Sequence, residues 1–350
     1  MKIAMISSPF VPVPPKKYGG TERVIYYLIK GLLEKGHEVT LFATGDSEVE
    51  CELVPICEKH LFFGKTKAEQ EQIVEKLQDI EAYTNKLLRE RAHEFDIIHS
   101  HGFDLIEFQH LPNVTTLHGM FTLEEMEYYE QRQCLHYVSI SNNQQKPYPD
   151  LEYVGTAYNG LDPAEFPVVT EPEKYACFLG RLDREKNPDK AIELAISLGM
   201  PIKVAGKVDH LGSEYFDEVL QPLMENPLVE FLGEIGMAEK TKLLSNAAVN
   251  LHPTNFREPF GLTVLEAAYC GTPTIAVKRG SMSEIIENHR TGILVEDFTE
   301  AYHLMEECLE LDREYVAQRA RLLFNYHTMT ESYLKAYEQV TTEFAARNQE

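Results

Sequence analysis

One order of strand and helix signals occurs twice in the chain, and it limits the possible folds more than any other feature. A short apolar run at residues 2–7 is followed by apolar residues at helical spacing between Val24 and Leu33, and then by a second strand signal at 38–43. The same order restarts with a strand signal at 175–179. Short buried strands that alternate with amphipathic helices predict parallel sheets covered by helices. We therefore expect two similar, doubly wound, mostly parallel α/β domains.

The remaining segments fit this α/β pattern. In the first copy, Gly36 is expected to end the helix. We predict the second copy to continue with a loop at 180–188, a helix at 189–198 and a strand at 202–205. Further predicted elements are a loop at 9–20, a charged helix at 67–93, strands at 96–99, 114–117, 136–140, 229–232 and 249–252, and helices at 238–245 and 261–269.

The domain boundaries follow from a proline-bounded linker and a terminal stripe. The segment 167–172 has a proline at each end and lies just before the second copy. Near the end of the chain, Tyr333, Tyr337, Val340 and Phe344 recur on one helical face, which predicts a helix that packs on a neighbouring surface. We expect domains at 1–165 and 166–325, and a helix at 326–350 that returns to the N-terminal domain.

Charge and composition exclude several classes of protein. The 350 residues include 33 basic and 56 acidic side chains, and the formal net charge is −23, so nucleic acids and anionic membranes are not expected partners. Hydrophobic residues at 43% argue against disorder. The six scattered cysteines predict reduced, mostly buried thiols, and the first residues form a strand signal instead of a cleavable signal peptide. The expected location is the cytoplasm.

The most informative loop connects a strand to a helix at residues 252–266. Pro259, Phe260 and Gly261 form an expected helix start, where backbone N–H groups face a phosphate or a sugar hydroxyl. Glu258 precedes this helix and Glu266 lies more than one turn inside it, so two carboxylates can accept hydrogen bonds from two sets of hydroxyls. An ordinary buried helix with an acidic cap is the alternative.

A second loop carries cations. Arg181 and Lys186 follow the strand at 175–179, where two cations can converge on a diphosphate. A solvated basic turn is the alternative, and Arg184 is a further cation without an assigned role.

Candidates in the first half are a glycine pair and a histidine. Gly19 and Gly20 follow the first strand, and Glu22 is either an acceptor contact or a first-turn residue favourable to the helix dipole. His118 ends a strand signal. We expect no metal site at the nearby histidines, because no recognisable set of Glu or Cys ligands completes one; His99 and His101 are expected to shape the loop wall, and His110 lies near them.

The region around the two glutamates resembles the donor-site signature of retaining glycosyltransferases of family 4, which have the GT-B fold. The matching segments are Glu258-Pro-Phe-Gly-Leu262, Leu265-Glu-Ala267, Cys270-Gly-Thr-Pro273, Ser283-Glu284 and Thr291-Gly-Ile-Leu294. The chain departs from the family at Arg279-Gly-Ser-Met-Ser-Glu284, where the family often has a Gly-Gly pair. This departure leaves the transferred sugar open.

The resemblance implies a GT-B fold, with two Rossmann-like domains facing a cleft, and a role for each candidate residue. The N-terminal domain would bind the acceptor, and the C-terminal domain a nucleotide-diphosphate sugar such as a UDP- or GDP-sugar. The implied catalytic residues are His118 beside the donor sugar, Arg181 and Lys186 at the pyrophosphate, and Glu258 at the sugar. Further implied donor contacts are Glu266 at the ribose, the backbone of Phe260, Gly261 and Leu262, and the loop with Gly19 and Gly20; Glu22 is a candidate acceptor contact.

The expected reaction is metal-independent transfer of a hexosyl group, with retention of anomeric configuration, to a small-molecule or glycan hydroxyl. It needs no cofactor besides the donor substrate. A hydrolase or epimerase of nucleotide sugars and a non-catalytic nucleotide-sugar-binding protein are the alternatives. A nicotinamide-dependent oxidoreductase is disfavoured, because no Gly-x-Gly-x-x-Gly turn follows either first strand.

Overall fold

A computed structural model describes residues 1–17, 19–61, 67–208 and 213–347. Tyr18, within the predicted loop at 9–20, and the last three residues of the predicted segment 326–350 lie outside the described residues. The chain divides into two compact units. The first unit comprises Met1–Gly160 and the C-terminal helix, and the second unit comprises Leu161–Asn325.

The first unit is built on a parallel sheet of seven strands in the order β3-β2-β1-β4-β5-β6-β7. Its residues alternate between strands and covering helices, as the apolar runs predict. The strands are β1 (Lys2–Ile6), β2 (Glu38–Thr44), β3 (Glu52–Cys57), β4 (Ile97–Ser100), β5 (Asn113–Thr116), β6 (Tyr137–Ser139) and β7 (Tyr153–Thr156). The helices that precede the second unit are α1 (Gly20–Glu34), α2 (Lys67–Arg91), α3 (Leu123–Glu130) and α4 (Asn142–Gln145), with 3₁₀ turns at Ala92–Glu94 and Ile106–Phe108.

The second unit repeats this architecture with six parallel strands in the order β10-β9-β8-β11-β12-β13. The strands are β8 (Ala176–Leu179), β9 (Ile202–Ala205), β10 (Val229–Gly233), β11 (Val249–His252), β12 (Thr274–Val277) and β13 (Gly292–Val295). The α-helices are α5 (Pro188–Ser197), α6 (Ser213–Tyr215), α7 (Gln221–Met224), α8 (Met237–Asn246), α9 (Leu262–Tyr269), α10 (Met282–Ile285), α11 (Ala301–Leu309) and α12 (Arg313–Leu323). A π-helical segment at Phe216–Leu220 joins α6 to α7, and 3₁₀ turns lie at Pro163–Glu165 and Phe298–Glu300.

The last helix, α13 (Tyr326–Arg347), belongs to the first unit. Its predicted apolar stripe is buried, and Tyr333 and Tyr337 are completely shielded from water. Their hydroxyl groups reach Thr116 and His99 in the sheet of the first unit. The prediction that the C-terminal helix packs on the N-terminal domain is confirmed.

Each sheet has the strand order of a Rossmann fold, so the predicted fold class is confirmed. In such a sheet the order reverses beside the first strand, and ligands bind at the carboxyl ends of the two strands that flank this point. In the first unit these strands are β1 and β4, and in the second unit they are β8 and β11. The loops that carry the candidate residues at Arg181, Lys186 and Glu258 therefore start at the reversal point of the second sheet.

Local signals placed the ends of several elements correctly. Gly36 has a φ of 79° just after α1, and this left-handed backbone favours glycine at a helix end. Two other predictions from the sequence are wrong. The glycine-rich loop ends earlier than predicted, because Gly20 is already the first residue of α1. Three of the six cysteines, all of them free thiols, are buried, so the thiols are not mostly buried. Among the described residues, no helix is both long and apolar enough to cross a bilayer.

Candidate functional site

The ends of β8 and β11 place a lysine and a glutamate in direct contact. Lys186 lies in the loop between β8 and α5, and its ammonium group forms an ion pair with Glu258 in the loop between β11 and α9. Both side chains are largely shielded from water, with 15% and 13% of their surfaces exposed. The ring of Phe256 lies 4.7 Å from the Lys186 nitrogen, which adds a cation–π contact. A cation and an anion are therefore held together at the reversal point of the sheet.

This environment keeps Glu258 ionised. Burial opposes ionisation, but the nearby charge of Lys186 and the contacts with His252 outweigh it and lower the pKa of Glu258 to about 2. Nε2 of His252, at the end of β11, lies 3.7 Å from the Glu258 carboxylate. Burial lowers the pKa of His252, which keeps the imidazole neutral near pH 7. Glu258 is therefore suited to accepting hydrogen bonds from hydroxyl groups.

Arg181 forms a separate cluster in the same loop. Its guanidinium group lies 2.9 Å from Asp183 and 3.0 Å from Glu185. Asp183 also accepts hydrogen bonds from the backbone N–H groups of Glu185 and Lys186, at 3.1 and 2.9 Å. Asp183 thus fixes the turn that presents both cations. In the structure, Arg181 and Lys186 contact different carboxylates.

The helix that carries Glu266 begins later than the sequence predicts. We expected the start at Pro259 to Gly261, but α9 begins at Leu262, and Gly261 precedes it with a φ of 96°. Pro259 therefore lies in the loop and not in the first turn. The first hydrogen bond of the helix runs from the N–H of Val264 to the carbonyl of Gly261, at 3.1 Å. The N–H groups of Leu262 and Thr263 lie before this first helical hydrogen bond. Phe260 is buried, and its carbonyl accepts a hydrogen bond from the loop described next.

The loop between β12 and α10 holds the backbone around Glu258. The hydroxyl of Ser281 donates to the carbonyls of Phe260 and Glu258, at 2.5 and 3.1 Å. Gly280 has a φ of 60°, and a Cβ atom there would lie 2.2 Å from the Glu258 carbonyl oxygen. This segment is the one that departs from the family pattern. The segment that differs from the family pattern therefore contains Gly280, and the close approach of its backbone to Glu258 requires a glycine at this position.

Glu266 has a partner that the sequence analysis missed. The ammonium group of Lys240 on α8 forms an ion pair with the Glu266 carboxylate on α9. Only 15% of the lysine side chain and 5% of the glutamate side chain are exposed. Lys240 lies three and four residues before Leu243 and Leu244, which are buried. This helical spacing was a usable signal that Lys240 lies on the inner face of α8.

In the first unit, the glycine pair and Glu22 lie together at the start of α1. Gly19 has a φ of 151°, and a Cβ atom there would lie 2.6 Å from Pro15 and 3.1 Å from the Glu22 carboxylate. Glu22 is buried and accepts a hydrogen bond of 2.9 Å from the hydroxyl of Ser8. Burial raises the pKa of Glu22, although the hydrogen bonds to it oppose this effect. Both suggested roles of Glu22 stay open.

His118 follows β5 and contacts another histidine. Its Nε2 lies 2.8 Å from Nδ1 of His101, and the centroids of the two rings are 5.1 Å apart. His101 in turn lies against His99, with ring centroids 4.1 Å apart. Burial lowers the pKa of His118 to about 4. No cluster of three or more His, Cys, Asp or Glu side chains in the described part of the chain is arranged to hold a metal ion.

Two family models match different parts of the chain. The model for Glycosyl transferases group 1 matches residues 164–322, and the model for Glycosyltransferase Family 4 matches residues 18–150. The first match covers the second unit almost completely, including the loops of Lys186 and Glu258. The second match covers most of the first unit.

Similarities over most of the chain agree with these matches. An uncharacterized glycosyltransferase of Methanocaldococcus jannaschii is 25% identical, with 84% of this chain and 85% of the relative covered. A D-inositol 3-phosphate glycosyltransferase of Pseudarthrobacter chlorophenolicus is 26% identical, with 79% and 78% covered. The solved structure of AviGT4, a glycosyltransferase of avilamycin A biosynthesis, aligns with a TM-score of 0.73 at 22% identity, with 98% of each chain covered. HepE of Anabaena, solved with UDP and glucose, aligns with a TM-score of 0.74 at 18% identity, with 97% of this chain and 100% of HepE covered.

The two Rossmann-like units and the structural similarities define the fold as GT-B. Together with the two family models, they identify the chain as a glycosyltransferase of the GT-B type.

Proposed function

We propose that the chain is a retaining glycosyltransferase of family 4 that moves a hexosyl group from a nucleotide-diphosphate sugar to an acceptor hydroxyl. The observation that carries this proposal is the buried ion pair of Lys186 and Glu258 at the ends of β8 and β11. A cation for a phosphate and an anion for sugar hydroxyls lie side by side where a Rossmann sheet binds its ligand. In this proposal the second unit binds the donor and the first unit binds the acceptor.

The negative charge that develops on the leaving group defines the roles that we propose for these residues. Cleavage of the bond between sugar C1 and the phosphate oxygen leaves extra negative charge on the nucleotide diphosphate. Arg181, Lys186 and the first N–H groups of α9 would stabilise this charge, as preorganised cations and dipoles do at other leaving groups. Glu258 would accept hydrogen bonds from the transferred sugar, and Glu266 from the ribose. The protein cations supply the charge that a metal would otherwise provide, so we propose a metal-independent reaction.

The anomeric configuration is retained if the acceptor approaches the sugar C1 from the same face from which the phosphate leaves. The bond from C1 to phosphate breaks, the bond from C1 to the acceptor oxygen forms, and the acceptor proton passes to the departing phosphate. The carboxylate of Glu258 is a poor base for that proton, because its pKa is about 2. This property supports a mechanism in which the leaving group, and not the protein, accepts the proton.

The donor proposed first is a UDP-sugar. HepE of Anabaena has been solved with UDP and with UDP-glucose. A GDP-sugar is the alternative, and the starch synthase IV domain of Arabidopsis thaliana, solved with ADP and acarbose, adds an ADP-sugar to the donors to be tested. Acceptors among sugars and other small molecules fit this group of relatives.

The test is product analysis with UDP-, GDP- and ADP-hexoses, a mixture of sugar and polyol acceptors, and EDTA in parallel samples. We expect a mass increase of one hexose on an acceptor, the same anomeric configuration as in the donor by NMR, and no loss of activity with EDTA. Glu258→Gln should abolish the product while the protein stays folded. Complete donor turnover without acceptor would favour a hydrolase or epimerase, and donor binding without turnover would favour a non-catalytic binding protein.

A further inference from the structure

The sheet of the first unit carries a row of histidines, and only His118, at one end of this row, is a candidate catalytic residue. His99 lies in β4, His101 lies just after it, and His118 follows the neighbouring strand β5. The rings form a continuous row, with centroids 4.1 Å apart for the first pair and 5.1 Å apart for the second. His99 and His101 are buried, whereas His118 is half-buried.

The inner end of this row is fixed by the C-terminal helix. Nδ1 of His99 lies 2.6 Å from the hydroxyl of Tyr337, and its Nε2 lies 2.7 Å from the hydroxyl of Thr116. Thr116 donates to the hydroxyl of Tyr333 at 3.1 Å. Both ring nitrogens of His99 are therefore occupied, and its ring is a rigid surface against which His101 packs.

The contact between His101 and His118 has two possible hydrogen positions. Nδ1 of His101 lies 2.8 Å from Nε2 of His118, so one of these nitrogens donates to the other. If His118 donates, the proton of a neutral His101 is on Nε2. That atom is buried and has no hydrogen-bond partner among the described residues. If His101 donates, its Nε2 carries only a lone pair.

The second arrangement is the better one, because buried N–H groups without an acceptor are rarer than buried acceptors without a donor. Neutral rings are also what the surroundings favour. Burial lowers the pKa of His99 to about 3 and that of His118 to about 4, and it holds the pKa of His101 well below its usual value. A neutral His118 that accepts at Nε2 must carry its proton on Nδ1.

We propose that His101 is a positioning residue that holds His118 in the Nδ1–H tautomer and orients its ring. Nδ1 of the half-buried His118 has no partner within the described residues, so it is available to donate to a ligand oxygen. The ligand class is a sugar hydroxyl, and this part rests on the proposed function. Fixing the tautomer of a catalytic imidazole through its second nitrogen is an established use of such contacts.

The first test needs no substrate. In protein labelled with ¹⁵N-histidine, long-range ¹H–¹⁵N correlation spectra distinguish the two neutral tautomers, and the His118 signals are assigned by their loss in His118→Asn. We expect Nδ1–H at His118 in the wild type. In His101→Phe, which keeps an aromatic ring in the row but removes the donor, His118 should shift towards the Nε2–H tautomer. A wild-type His118 with the proton on Nε2, or no change in His101→Phe, would overturn the proposal.

The second test measures transfer and separates positioning from general damage. His101→Asn retains an N–H donor close to the position of Nδ1, so it serves as the conservative variant. We expect His101→Phe to lower kcat at least about tenfold with little change in KM for the donor, and His101→Asn to restore most of the loss. Equal kcat in the wild type and His101→Phe would overturn the positioning role. If the wild type transfers no sugar, the proposed function fails, while the spectra still decide the tautomer.

Discussion

Lys240 on α8 and Glu266 on α9 form an ion pair that is almost completely shielded from water. The proposed role of Glu266 is to bind the ribose of the donor. A buried carboxylate needs a compensating charge, and Lys240 supplies it. Lys240 therefore belongs to the candidate donor site, although it lies on a different helix from Glu266.

Replacing Lys240 should damage both stability and donor binding. Lys240→Met keeps the length of the side chain but leaves a buried carboxylate without its partner, which typically costs about 3–5 kcal/mol. We expect a clearly lower unfolding midpoint in urea and weaker donor binding. Lys242→Met is the matched control, because Lys242 lies on the same helix and is exposed. Similar midpoints for the two variants would show that the ion pair contributes nothing to the fold.

Gly280 should be intolerant of a side chain for a reason beyond its backbone angle. Its φ of 60° is close to the 65° of Gly233, so alanine at either position adds about 1–2 kcal/mol of left-handed strain. However, a Cβ atom at Gly280 would also collide with the backbone of Glu258, whereas at Gly233 it would meet nothing within 4 Å. Gly280→Ala should therefore lose at least about 2 kcal/mol more than Gly233→Ala, together with donor binding. Equal losses would show that the loop near Gly280 does not position Glu258.

The ion pair of Lys186 and Glu258 predicts a defined pH dependence of stability. The pKa of Glu258 is lowered from 4.5 to about 2 in the folded protein. The contribution of the ionised Glu258 to the free energy of unfolding is therefore fully present above about pH 4.5 and is lost as the pH falls towards 2. The measurement is the free energy of unfolding in urea for the wild type and Glu258→Gln, from neutral pH down to about pH 3. The advantage of the wild type should shrink only in the acidic range, by at most about 3 kcal/mol; a constant difference would contradict the low pKa.

Arg181 should contribute to catalysis more than to stability. Its side chain is 32% exposed and contacts Asp183 and Glu185 within its own loop, and partly exposed ion pairs contribute less to folding than buried ones. Asp183 keeps the backbone N–H donors of Glu185 and Lys186 when the arginine is removed. Arg181→Ala should lower kcat about 100-fold or more if the side chain stabilises the leaving diphosphate. Lys186→Ala should also lower kcat sharply, but it leaves Glu258 without its partner.

Arg184→Ala in the same loop is the control, because Arg184 is exposed and lies over the ring of Tyr215. Near-normal transfer by both Arg181→Ala and Lys186→Ala would disprove the assignment to the diphosphate.

Apolar patterning was sufficient to predict the architecture of both units. Runs such as residues 2–7 and 175–179 are short, apolar and followed by helical spacing, and each became the central strand beside which the strand order reverses. Helix ends were predicted less well where backbone geometry decides them. The start of α9 is one example, because Gly261 adopts a left-handed conformation that places the first helical residue at Leu262.

Pairings between distant side chains could not be predicted from the sequence alone. Lys186 and Glu258 are separated by 72 residues, and Lys240 and Glu266 by 26. Such contacts depend on which strands become neighbours and how the loops turn. The contact between His99 and Tyr337 joins side chains that are 238 residues apart in the sequence, and it could not be predicted for the same reason. The candidate residues could be chosen by resemblance, but their partners required the structure.

Isothermal titration of UDP and of a UDP-sugar into the wild type, Glu266→Gln and Glu258→Gln tests the account most directly. If Glu266 binds the ribose and Glu258 the transferred sugar, Glu266→Gln should weaken binding of both ligands at least about tenfold, a loss of about 1.4 kcal/mol. Glu258→Gln should bind UDP like the wild type but lose the additional affinity for the UDP-sugar. Wild-type affinity of Glu266→Gln for UDP, or an equal loss of UDP affinity in both variants, would contradict the division of roles between the two glutamates.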